Sequence, residues 1–161
     1  MSREPHASVG PDVREAFLRV YREFRREIEG LDEAALAWRP APDTTPIANL
    51  VLHVVGATRA HLSALVGGPH ERDREAEFRA TPATAAELVA LLADAERELD
   101  RYCDGLSVED LLAERRRPPA GRPARGLAVL LQGYGHTEEH LAQVSLTKQL
   151  YRLAHGSPPD V

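Results

Sequence analysis

The sequence contains a single cysteine, Cys103, so no disulfide can form within the chain, as expected of a protein kept in a reducing compartment. It also contains a single lysine, Lys148. Almost every basic residue is therefore arginine, and with the abundant alanine and proline this suggests a GC-rich bacterial genome. No apolar run approaches the roughly 20 residues that span a bilayer. The opening stretch, MSREPHASVGPDVREAF, lacks the apolar core of a secretory signal. A cytoplasmic protein without a membrane partner is expected. A basic stripe is missing as well: the net charge is −5, with both signs mixed along the chain, which argues against a nucleic-acid partner. The densest basic segment, residues 114–126, is broken by proline and glycine and reads as a solvated loop. Sustained period-two alternation is absent too, which argues against a sheet protein.

What is present is helical periodicity. At 161 residues, with 43% hydrophobic and 28% charged content, the chain fits one soluble domain with a core of its own. Residues 1–10 and 156–161 read as flexible ends around a single domain over 11–155. Val13, Phe17, Val20, Phe24, Ile28 and Leu31 recur at three- and four-residue intervals, the stripe of an amphipathic helix that Gly30 is placed to end. Residues 31–46 read as a short helical turn and a proline-rich connection. Thr45 as N-cap and Pro46 at the first helical position then open a second helix reaching about Val66, with Gly67 and Gly68 closing it. Residues 69–80 are a charged connection. A third helix starts at Thr81–Pro82, or at Thr84 with Glu87 completing a capping box, and carries Leu88, Leu91, Leu92, Ala95, Leu99 and Tyr102. Gly105 interrupts it, and one more helical turn fits before the arginine-rich loop. The last helix spans about 127–153. The expected fold is all-α: a four-helix bundle with short extra helical turns in its connections.

The last helix is apolar on more than one side. Leu127, Leu130, Leu131, Tyr134 and Leu141 form one stripe, suited to core or to a subunit contact. Val129, Gly133, His136, His140, Gln143, Thr147 and Tyr151 form another. His136 and His140 have i, i+4 spacing, which sets two side chains about 5–6 Å apart on one face, within reach of one metal ion at about 2.0–2.1 Å per bond. A third histidine from a facing helix would leave positions open for water or substrate. His53 lies on the second helix in a stripe with Leu50, Ala57, Ala60 and Ala64; it reads either as that third ligand or as a hydrogen-bonded core residue. His61, about 80° around the same helix, is either an outer neighbour of the site or plain packing. His6, His70 and His155 fall near ends or in loops and read as exposed. The string HTEEH also matches H-x-x-E-H, in which the glutamate is a protease's general base. That architecture takes another ligand from well downstream, and only 21 residues follow His140. Glu138 and Glu139 are then solvated charges, or carboxylates that hold a ligand imidazole in its tautomer.

These motifs combine into a larger pattern. Trp38-Arg39-Pro40 precedes the helix carrying NLVLHVVG, residues 49–56, and His136-Thr-Glu-Glu-His140 follows on the last helix. The arrangement resembles the DinB-like superfamily of four-helix proteins, over roughly residues 12–153. The resemblance implies a divalent metal held by His53, His136 and His140. Relatives of this kind include mycothiol-dependent maleylpyruvate isomerase and bacillithiol transferases, so it further implies a metal-assisted thiol S-transferase or isomerase acting on a small electrophile, with a low-molecular-weight thiol as cofactor. Cys103 follows a core stripe and is not expected to be the nucleophile. One alternative is a metal-dependent hydrolase with Glu139 as the candidate base. Another is a non-enzymatic, stress-related binding or scaffold protein. Three imidazoles suit zinc, nickel, iron(II) or copper, and the spare apolar stripe leads us to expect a homodimer.

Overall fold

The computed structural model describes residues 8–69, 72–79 and 84–156. Four long helices carry the fold: α1 (Gly10–Ile28), α3 (Ile47–Leu65), α5 (Ala85–Cys103) and α7 (Gly126–His155). Between them lie short helices, α2 (Glu33–Ala37), α4 (Arg74–Arg79) and α6 (Val108–Leu112), and a small antiparallel hairpin of β1 (Glu114–Arg117) and β2 (Arg122–Arg125). The long helices close a ring in which α1 meets α5 and α7, and α3 meets the same two from the other side. This is the expected all-α bundle with its extra turns.

Each helix reflects its local sequence. The predicted stripe of α1 is buried: Phe17, Val20, Phe24 and Ile28 are at most 1% exposed. Burying each such side chain contributes about 1.5–3 kcal/mol before entropy is charged. Gly30 follows at φ +77°, a conformation that only glycine adopts without strain. Helix α5 starts with the capping box: Thr84 Oγ1 accepts from the Glu87 backbone N–H, and Glu87 reaches back to the Thr84 N–H. The rival start at Thr81–Pro82 lies outside the described residues. Helix α3 is apolar nearly all round and has one charged residue, Arg59, which pairs with Glu98 of α5 at 2.6 and 2.9 Å. It is accordingly buried on most of its faces.

Three expectations need correction. Thr45 does not cap α3; Pro46 is the extended cap residue, and its carbonyl accepts from the Leu50 N–H at 3.0 Å. The connection over 69–80 contains the helix α4, whose first turn is held by Asp73 Oδ1 accepting from the Ala76 N–H at 2.9 Å. The arginine-rich segment is a hairpin rather than an irregular loop. Arg115 anchors it, donating to the Leu65 carbonyl at 2.6 Å and to Asp110 at 2.8 Å. Neither segment has an apolar period, so tertiary contacts decide both.

The register of α3 against α7 positions the centre of the molecule. Thr58 and Thr137 meet in a buried hydroxyl pair at 3.0 Å, and Thr137 Oγ1 also donates to the Gly133 carbonyl at 2.8 Å. Gly133 lets the helices close, since a Cβ there would stand 2.7 Å from His61 Cβ.

Candidate metal centre

That register places His53 of α3 opposite His136 and His140 of α7. His53 Nε2 and His136 Nε2 are 3.0 Å apart. Ligand atoms of all three histidines lie within 4.8 Å of one another, and neighbouring ring centroids are separated by 4.3–5.1 Å. For a tetrahedral ion with Zn–N bonds of about 2.0–2.1 Å, donor nitrogens stand about 3.3 Å apart. The 3.0 Å pair of His53 and His136 is close to that spacing, and His140 lies within 4.8 Å of both.

The protonation chemistry fits a cation. Burial draws the His53 imidazole down to about 3, with the Arg72 guanidinium adding to the effect. Burial also draws His136 down to about 4, assisted by His140. Both rings are neutral at pH 7 and so are in the ligating form. His140 Nδ1 donates to Gln143 Oε1 at 2.7 Å, which leaves its Nε2 unprotonated. That Nε2 is buried and has no hydrogen-bond partner among the described residues. A buried lone pair facing two other imidazole nitrogens is costly unless something accepts it. A divalent cation would satisfy all three.

Other nominated residues occupy other places. His61 is buried, its Nδ1 bonds the Ala57 carbonyl at 2.8 Å, and its ring lies 6.4 Å from that of His136. It stands outside the three-histidine group and packs over Gly133. Glu139 is exposed on α7; its charge favours the protonated form of His136, yet it makes no hydrogen bond or ion pair among the described residues. Glu138 points elsewhere, pairing with Arg19 and accepting from the Tyr134 hydroxyl. His155, at the end of α7, stacks on Tyr151, which meets Trp38 edge-on at 5.6 Å. His6 and His70 lie outside the described residues. Ala57, Ala60 and Ala64 are buried.

Two residues at the site have no signal in the sequence. Glu77 of α4 brings Oε2 to 3.3 Å from His53 Nδ1. Arg72, just before α4, brings Nη2 to 2.8 Å from the same nitrogen and donates to the His53 carbonyl at 3.1 Å, while pairing with Glu77. Arg72 also lines a groove of about 900 Å³ between the end of α3 and the hairpin, shared with Ala64, Arg115 and Arg116.

Comparison with known proteins agrees with this architecture. Residues 16–144 match the model of the DinB superfamily. A conserved protein of Enterococcus faecalis has a similar structure at TM-score 0.72 and 18% identity, covering 94% of this chain and 99% of that one. A DinB-like protein of Bacillus cereus ATCC 10987 is similar at TM-score 0.67 and 18% identity, covering 91% and 96%. The sibling lethal factor precursor DfsB is similar at TM-score 0.65 and 18% identity, covering 92% and 99%. At that identity the structural likeness speaks for the fold alone. No curated protein matches the chain.

Proposed function

The chain belongs to the DinB superfamily, and on that premise we propose that it binds one divalent metal ion through His53, His136 and His140 and acts as a thiol-dependent S-transferase or isomerase on a small electrophile. The observation that carries the metal reading is the buried Nε2 of His140, without a partner among the described residues, beside the 3.0 Å pair of His53 and His136. An ion held by three neutral imidazoles keeps its positive charge and favours a bound thiolate over the thiol.

The rest of the work falls to the chain. Thr58 and Thr137 hold the helices in register, and Gln143 keeps the His140 proton on Nδ1. The chain's own thiol is a poor nucleophile: Cys103 is buried, and burial pushes it up to about 11. A low-molecular-weight thiol such as mycothiol or bacillithiol would have to supply the sulfur. Hydrolysis would instead need a carboxylate beside the activated water, and the exposure of Glu139 favours the thiol reading.

We place the protein in the bacterial cytoplasm; no helix among the described residues is long and apolar enough to cross a membrane. We also propose a homodimer. Of the stripe nominated for subunit contact, Leu130, Tyr134 and Leu141 pack on the core, while Leu127 and Leu131 are 43% and 62% exposed. Leu146, Leu150 and Leu153 extend that exposed face along α7.

Thermal melts of untagged protein test the proposal in two steps. Zinc should raise the melting temperature, by an amount equivalent to about 2.7 kcal/mol at a hundred times its Kd, and His140→Ala should abolish the rise. Zinc-loaded protein should then gain a further shift from a low-molecular-weight thiol. No response to zinc, nickel or iron(II) defeats the metal reading. Failure of every thiol on loaded protein defeats the thiol reading and favours a binding or scaffold role.

A further inference from the structure

We infer that Glu77 is the positioning carboxylate of the metal centre and that the docking of α4 onto α3 sets the orientation of His53. This rests on the metal-binding reading above. A ligating histidine ordinarily passes its second N–H to an acceptor, which fixes its tautomer and raises its basicity. Gln143 does this for His140. For His53 an acceptor in reach is Glu77 Oε2, at 3.3 Å from Nδ1.

Two contacts and one clearance bring that carboxylate in. Asn49 Nδ2, on buried Asn49, donates to the Glu77 carbonyl at 3.0 Å. Arg72 Nε donates to Glu77 Oε1 at 2.7 Å, and both side chains are only 15% exposed. Gly56 supplies the clearance: a Cβ there would collide with Glu77 Oε1 and lie 3.1 Å from Arg72 Nε. Asn49, His53 and Gly56 stand at i, i+4 and i+7, one stripe of α3. The motif NLVLHVVG is thus both a ligand-bearing segment and a seat for α4.

Arg72 gives the arrangement two states. Without an ion, one proton must lie between His53 Nε2 and His136 Nε2 at 3.0 Å. When His53 carries that proton, its Nδ1 is bare and accepts from Arg72 Nη2 at 2.8 Å. When its Nε2 is a ligand, its proton sits on Nδ1, where Arg72 can no longer donate and Glu77 accepts. His53 exchanges one partner for the other, and Arg72 stays paired to Glu77 throughout.

Zinc affinity, measured by competition against a chromophoric chelator, tests this on the full chain. Glu77→Gln and Gly56→Ala should each bind zinc about 10–100-fold more weakly than the parent. Glu98→Gln, which removes a carboxylate on α5, should bind as the parent does. Long-range ¹⁵N–¹H spectra should show the His53 proton on Nδ1 in the zinc-loaded parent, with its resonance displaced in Glu77→Gln. Should Glu77→Gln fail to fold, Gly56→Ala decides the question alone, because it leaves both side chains chemically intact. Parent-like affinity in the folded variants overturns the role of Glu77 while the metal reading stands. A parent protein that takes up no zinc overturns both.

Discussion

His53 Nε2 and His136 Nε2 face each other at 3.0 Å although 83 residues separate them in sequence. Two desolvated imidazoles at that distance cannot both be charged, and burial keeps both neutral far below the ordinary imidazole range of about 6.5.

Stability of the metal-free protein should consequently fall with acidity. The unfolded chain takes up protons on these rings near pH 6.5, whereas the folded protein resists until about pH 4 for His136 and about pH 3 for His53. Their contribution is intact above about pH 6.5 and is lost as pH drops toward 4 for His136 and toward 3 for His53, at up to about 1.4 kcal/mol per pH unit for each proton. Denaturant titrations between pH 7.5 and 4.5 should show that slope, and His53→Asn should reduce it. A slope unchanged in His53→Asn would contradict the burial argument.

Gly133→Ala should separate α3 from α7. The new methyl would stand 2.7 Å from His61 Cβ, and overpacking of this kind costs about 1–3 kcal/mol. Thermal melts should fall by about 3–10 °C, and zinc affinity should weaken because the same register aligns the histidines. Parent-like melting and affinity would show that the helices yield more readily than this close approach implies.

Cys103 should be chemically silent in the folded protein. With its thiol pushed up to about 11 by burial, its reaction with a thiol reagent at neutral pH should run at least about a hundredfold slower than after denaturation. Cys103→Ala should keep any thiol-dependent activity in full. Loss of that activity would return the nucleophile to the chain itself.

Replacing Leu131 and Leu146 by glutamate should dissociate the homodimer without lowering the monomer's stability, since these side chains are 62% and 55% exposed in the single chain. Sedimentation velocity reads the change directly. A parent protein that sediments as a monomer at every concentration would contradict the dimer.

Much of this was legible in the order of residues. The apolar spacing of Val13 to Ile28 and the Thr84–Glu87 box identify α1 and α5 because local preference and core burial agree there. His136 and His140 are found by their spacing, and Gln143 follows in the same line. Glu77 is not legible: it sits among other acids in a charged stretch, and only the folding of α4 onto Asn49 and Gly56 singles it out. The hairpin escapes for a similar reason. Its strands carry arginine on both faces, and it is held by Arg115 reaching the end of α3, a contact that no period-two pattern announces. Thr45 and Pro46 read as cap and first helical residue, but the chain stays extended through Pro46, at ψ 156°, and enters the helix one residue later.

The most direct test of the central claim is diffraction from zinc-loaded crystals at the metal's absorption edge. One anomalous peak is predicted between α3 and α7, about 2.0–2.1 Å from a ring nitrogen of each of His53, His136 and His140. Loaded crystals with no peak there, or with the three rings turned away from a common point, would contradict it.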